Sequence, residues 1–195
     1  LACGCKQGPP GGPGRATPPD NPERERPPPR QQDEPQGEQT SAASASDPPT
    51  ATARLQARSG SSLSGSARFE QLEGGVRVTV TITRAPPGKH GVHVHETGDC
   101  SGSGAAAAGG HFAPRGHPHG LPPQQERHLG DLGNITIGED GTGTLTITVD
   151  GATLDPGAST SFVDRALIVH AREDDGSQPT GAAGDRIGCG VIRVG

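Results

Sequence analysis

The 195-residue chain has no Trp, no Tyr and no Met, and only three Phe. A chain without Met that starts at Leu1 is expected to be a processed product, with something upstream removed. No apolar run approaches the roughly 18 residues a membrane-spanning helix needs, so no such helix is expected. Positive charge is in the minority: 17 Lys+Arg stand against 22 Asp+Glu, a formal net charge of −5. Binding to nucleic acid or to an anionic membrane surface favours a basic stripe, so neither is expected as the main partner. Apolar side chains are missing from one end. Leu1 is the only Leu, Ile, Val or Phe before Leu55, while most of the 20 prolines lie in the first 50 residues.

Stretches such as Pro27-Pro28-Pro29 and Ser41-Ala42-Ala43-Ser44 cannot bury enough apolar surface to offset the entropy of ordering a backbone. Residues 1–50 are therefore expected to be a disordered spacer, partly in polyproline II. At its head, Leu1-Ala2-Cys3-Gly4 resembles the end of a bacterial lipoprotein signal, in which the cysteine is lipidated and becomes the new N-terminus. That resemblance implies a lipid anchor on Cys3, the chain's one expected contact with a membrane.

From about Ala51 the pattern changes. Val76, Val78, Val80 and Ile82 alternate with Arg77, Thr79 and Thr81, the period of a half-buried strand. Leu145, Ile147 and Val149 repeat it, and 166–169 is a short apolar run suited to a fully buried strand. Gly74-Gly75, Pro86-Pro87-Gly88 and Asp140-Gly141 mark turns. No helical periodicity is sustained. The expectation is one all-β domain over 51–195, an antiparallel sandwich or barrel.

All eight histidines lie in this domain. His93 and His95 stand two residues apart in Gly91-Val92-His93-Val94-His95-Glu96, so on a strand both imidazoles project from one face. Alone, such a pair is more often an exposed polar edge than a metal site. His111, His119, His128 and Asp131 follow in a Gly- and Pro-rich loop that no secondary structure accounts for. Three imidazoles and a carboxylate suit a four-coordinate ion such as Zn²⁺. His170 ends the 166–169 run and reads either as a ligand or as a satisfied structural residue. His90 and His117 read as solvated bystanders.

Four blocks resemble the signatures of copper–zinc superoxide dismutases, in family order. They are the His93–His95 block above, Gly110-His111-Phe112, Arg127-His128-Leu129-Gly130-Asp131-Leu132-Gly133-Asn134, and Gly184-Asp185-Arg186-Ile187-Gly188-Cys189-Gly190-Val191-Ile192. The intervals from His111 to His119, His128 and Asp131 match as well. The resemblance implies an eight-stranded Greek-key β-barrel and the conversion of superoxide to dioxygen and hydrogen peroxide. It implies Cu(II)/Cu(I) on His93, His95, His111 and His170, and Zn(II) on His111, His119, His128 and Asp131. His111 would bridge the metals and carry a proton, and Arg186 would meet the anion; these two are the implied catalytic residues. Asp174, otherwise a surface loop acid, would link His93 to His119, and Thr180 would line the channel.

The same resemblance pairs Cys100 with Cys189; two reduced buried thiols are the other reading. A disulfide implies an oxidising compartment, which agrees with an extracytoplasmic protein of the periplasm or cell envelope. Cys5 has no assigned partner. Apart from that cysteine, a homodimer is the candidate assembly of the chain. The chain departs from the animal enzymes in the disulfide loop, where Asp99 directly precedes Cys100 and Ala105-Ala106-Ala107-Ala108 follows, a more bacterial pattern. The 175–180 stretch is short, leaving substrate guidance to Arg186 and the metals. A copper carrier or a zinc-stabilised relative would share this fold but would be expected to lack a copper ligand or the arginine, and here all are present. A display module is the third class, and nothing in the tail resembles a recognition motif.

Overall fold

The computed structural model describes Gly14 and residues 47–195. Cys3, Cys5 and nearly all of the expected tether lie outside the described residues. Eight strands follow in order: β1 (Thr50–Ala57), β2 (Ser64–Leu72), β3 (Gly75–Thr83), β4 (Gly88–His95), β5 (Asp131–Ile137), β6 (Gly143–Asp150), β7 (Ala166–His170) and β8 (Arg186–Val194). They form one antiparallel sheet in the order β5-β4-β7-β8-β1-β2-β3-β6, whose outer strands β5 and β6 approach each other to leave a nearly closed barrel. β1, β2 and β3 are a meander, whereas β3 with β6, β4 with β7 and β1 with β8 pair across long connections, as in a Greek key. The expected all-β barrel is what the chain forms.

Alternation explains most of it. On β3, Val76, Val78, Val80 and Ile82 are fully buried, while Arg77, Thr81 and Thr83 face solvent. The core is completed by Ala53 and Leu55 of β1, Phe69 of β2, Ile135 of β5, Val149 of β6 and Ile192 of β8. Phe69 meets Phe162 edge-on at 6.2 Å.

β4 and β7 break the one-sided rule, because both of their faces are covered. Val92 and Val94 point into the barrel core, yet His93 and His95 on the opposite face are also buried. The segment after β4 supplies the cover: Phe112 N–H bonds Val94 O at 2.9 Å, and Val94 N–H bonds Gly130 O at 2.8 Å. β7 is covered on its second face by a smaller cluster of Ala105, Ala108, Ala166, Ile168 and Cys189.

That cluster encloses the Cys100–Cys189 disulfide, which spans 89 residues with a Cα–Cα distance of 5.9 Å. For a loop of this length the chain-entropy account gives about 4–5 kcal/mol of stabilisation. The bond ties a short 3₁₀ segment, η1 (Ser103–Ala108), to β8.

Candidate metal and active site

Sheet register assembles the site. A β4 irregularity between Gly91 and His93 sets His93 opposite Asp131 on β5, and a β7 irregularity sets His170 opposite Arg186 on β8. His111 joins His95 through an isolated bridge. Two sets result. One is His93, His95, His111 and His170, all buried; the other is His111, His119, His128 and Asp131. Within each set the potential ligand atoms lie within 4.8 Å of one another, and His111 belongs to both.

Each outer ring nitrogen has a fixed acceptor. His93 Nε2 donates to Asp174 Oδ2 at 2.7 Å, His95 Nδ1 to Gly109 O at 2.9 Å, His170 Nδ1 to Gly184 O at 3.0 Å, and His119 Nε2 to Asp174 Oδ1 at 3.0 Å. Fixing the proton there leaves the lone pair on the opposite nitrogen. In the first set those opposite nitrogens, His93 Nδ1, His95 Nε2 and His170 Nε2, are buried and without a hydrogen-bond partner, whereas His119 Nδ1 faces Asp131 Oδ2 at 3.0 Å. Three inward-aimed, unsatisfied nitrogens are costly unless something electron-poor meets them. The donor sets therefore fit metal ions.

Electrostatics agree. Burial, the largest cause, pushes His93 down to about 4, His95 to about 2 and His170 to about 3, so all three imidazoles are neutral near pH 7 and able to ligate. The positive charge of Arg186 lowers His95 and His170 further. His119 goes the other way. Burial opposes its charge, but Asp131 and Asp174 on its two nitrogens together outweigh burial and raise it to about 9. Burial would raise both carboxyls, yet hydrogen bonds from the histidines hold Asp131 and Asp174 well below the usual carboxylate range. A pocket with two ionised, buried carboxylates calls for a cation.

Asp174 is itself held. Asn134 on β5 grips its backbone twice, Nδ2 to Asp174 O at 2.9 Å and Asp174 N to Asn134 Oδ1 at 2.8 Å, while Gly176 N–H reaches Oδ1 at 2.9 Å. Gly181 closes over it with φ 72, and any Cβ there would overlap the Asp174 carboxylate and the His119 ring. Thr180, just before it, is exposed.

Arg186 is half-buried, its Nη1 donating to Ala105 O and its Nη2 to Gly109 O, both at 2.7 Å. Gly109 O thus serves Arg186 and His95 together. Ala105 adopts a left-handed conformation, φ 54, that costs a non-glycine residue about 1–2 kcal/mol. The strain sits where its carbonyl holds the Arg186 guanidinium.

Residues 63–192 match the family model described as copper/zinc superoxide dismutase. The chain belongs to the copper/zinc superoxide dismutase family. The Cu-Zn superoxide dismutase 2 of Brassica juncea is 43% identical over 130 residues, covering 63% of this chain and 84% of that protein. The crystal structure of the clock protein EA4 matches with a TM-score of 0.68 at 35% identity, over 76% of this chain and 96% of the other. Family membership implies copper and zinc as the metals.

Within this family member, the expected ligands fall in the two sets, and Asp174 and Arg186 contact them or share a carbonyl with them. Thr180 is exposed, with no hydrogen bond to either set among the described residues. Two histidines are corrected. His90, read as solvated, is 3% exposed, with Nδ1 at 2.8 Å from His170 O and Nε2 at 2.9 Å from Pro86 O. It shares a strand face with Val92 and Val94, and that alternation was the available signal. His117 is half-buried, with Nδ1 shut away from solvent. Asn134 stood inside a recognised block without a role. Arg165, whose guanidinium lies 3.4 Å over the Phe112 ring beside His111, had no sequence signal at all.

Proposed function

We propose that this chain is a working superoxide dismutase in which His93, His95, His111 and His170 hold copper and His111, His119, His128 and Asp131 hold zinc. The observation that carries the reading is the three buried, partnerless ring nitrogens of His93, His95 and His170, whose opposite nitrogens are pinned to acceptors, beside a second set gathered round the buried Asp131 carboxylate. When bound, copper supplies one-electron exchange between Cu(II) and Cu(I), and zinc supplies fixed positive charge. The net reaction takes two superoxide ions and two protons to dioxygen and hydrogen peroxide.

The chain's own contribution is placement. Neutral imidazoles serve both copper oxidation states without an oxidisable thiolate, since both cysteines of the domain are tied in the disulfide. His111 has Nδ1 committed to the Asp131 side at 2.9 Å, which leaves Nε2 for the set of His93, His95 and His170. Nε2 is the atom at which the chain holds a proton for the peroxide. Arg186, fixed by two carbonyls, presents a positive charge to the incoming anion.

The location belongs to the same reading. Residues 51–195 are the catalytic domain and 1–50 its tether, anchored through a lipid on Cys3 to the periplasmic or outer envelope surface. The lipoprotein-like Leu1-Ala2-Cys3-Gly4 supports this, as does a disulfide suited to an oxidising compartment.

The test is metal content per chain measured alongside superoxide consumption for the parent, His95→Ala and His128→Ala. One copper and one zinc per active parent chain are expected. His95→Ala should lose turnover and keep zinc, and His128→Ala should lose zinc first. Unchanged turnover in His95→Ala would overturn the copper assignment.

A further inference from the structure

A cavity of about 190 Å³ lies between the 111–131 loop and the end of β6, bounded by Arg115, Gln125, Arg127, His128, Asp150 and Gly151. The dismutation reading makes no use of it. Both arginines are seated. Arg127, half-buried, donates from Nε to Asp131 O at 3.1 Å and from Nη1 to Gln124 O. Arg115 reaches Gly151 O at 3.4 Å from Nη2. Gly151 has φ 75, and a Cβ there would overlap the guanidinium, so a left-handed glycine makes the seat for Arg115. Among the described residues, Arg127 Nη2 and Arg115 Nε and Nη1 donate to no protein acceptor. Two guanidiniums line the cavity with the exposed Asp150, while the other carboxylate near Arg127, Asp131, turns its oxygens into the histidine set. The cavity itself therefore keeps an excess of positive charge in a chain of net charge −5.

Its position adds meaning. The His128 side chain is 14% exposed, whereas His111, His119 and Asp131 are at 3%, 0% and 0%. This cavity is where that set meets solvent.

We propose that the cavity binds a small multivalent oxyanion of the phosphate type, held by Arg115 and Arg127 with the Gln125 amide beside them. Arg127, half-buried and held by two carbonyls, loses little freedom on binding such a group, the exposed Arg115 closes on it from the Gly151 side, and guanidiniums match its geometry with paired N–H donors. The bound anion bridges the 111–131 loop to the end of β6 and so fastens the loop that carries His119 and His128. Binding itself stands apart from the dismutase reading; only the consequence for zinc rests on it.

The experiment uses metal-loaded protein and inorganic phosphate, read by calorimetry and thermal unfolding, with chloride at matched ionic strength as the control. Arg186 is a second cation open to anions, so the series is repeated in Arg186→Gln. Expected are saturable 1:1 binding that persists in Arg186→Gln and at least tenfold weaker binding in Arg115→Gln. Phosphate should raise Tm and slow zinc release to a chelator in the parent, and do neither in Arg115→Gln. Arg127→Lys, which keeps a cation near Asp131 O, should fall between the two. No saturable effect beyond matched chloride would overturn the proposal. So would binding that vanishes in Arg186→Gln, or that is undiminished in Arg115→Gln. Phosphate binding by a protein without dismutase activity would sink the functional reading and leave this site standing.

Discussion

Asp174 is the place where one substitution should separate the two metals. Its side chain is fully buried, and its oxygens have unequal work. Oδ1 accepts from His119 Nε2 at 3.0 Å and from Gly176 N at 2.9 Å; among the described residues Oδ2 accepts only from His93 Nε2, at 2.7 Å. In Asp174→Asn the amide oxygen should keep the Oδ1 place, where two donors demand an acceptor, and the NH₂ should face His93. His93 Nε2 then meets a donor. The ring must either leave a buried N–H unsatisfied, at about 1–3 kcal/mol, or move its proton to Nδ1, the nitrogen needed for ligation. Loss of such a supporting partner typically costs about 10–100-fold in metal affinity, or about 1.4–2.8 kcal/mol. Copper affinity should fall by that factor in Asp174→Asn, with zinc affinity nearly unchanged. Asp174→Ala strips both histidines and should weaken both metals. Competition against calibrated chelators, one metal at a time, measures each. Equal loss of both metals in Asp174→Asn would refute the unequal division of the carboxylate, and no loss of either in Asp174→Ala would refute its supporting role.

Three further outcomes follow from the geometry. Cys189→Ser should lower unfolding stability by roughly 2–5 kcal/mol and also reduce turnover, because the 100–109 segment whose carbonyls fix Arg186 loses its tie to β8; unfolding curves and superoxide consumption report both, and a destabilised variant with full turnover would contradict the link. In metal-free protein, His93 and His170 stay neutral to about 4 and about 3, so the unfolded chain takes up protons that the folded one refuses as pH falls below 6.5. Stability should therefore drop from pH 6.5 towards 4, with the depressed Asp131 and Asp174 adding loss in acid, while the raised His119 contributes stability that is lost as pH climbs through about 9; a metal-free Tm that rises between pH 6.5 and 4 would be the wrong sign. Finally, Arg186→Lys should keep much of the rate, Arg186→Ile should lose about tenfold, near 1.4 kcal/mol, and Arg186→Glu more, with salt slowing the parent more than the Ile variant as screening shortens the field to about 8 Å. Equal low-salt rates for the parent and Arg186→Glu would end the steering role.

Side-chain patterning made the barrel legible, because alternation on β3 and β6 is a direct image of one buried face. It said less about β4. An alternating strand with His93 and His95 on its outer face reads as a polar edge, and only long-range packing of the 111–131 loop buries them. The two histidine sets could be grouped from spacing and family blocks, since ligation needs specific side chains in order. Their support could not. Gly109 O, Gly184 O and Ala105 O act through the backbone, and a carbonyl leaves no mark in the residue type. Asp174 sits far from His93 and His119 in sequence and became visible only through resemblance. His90 was legible and misread: its alternation with Val92 and Val94 already placed it on the core side.

The central claim is that His111 joins the two sets. With cobalt(II) in the zinc position and copper(II) in the other, a shared imidazolate would couple the two spins, so the copper EPR signal should collapse relative to the zinc-loaded protein at equal copper content. A copper signal of full intensity in the fully loaded cobalt protein would contradict the claim.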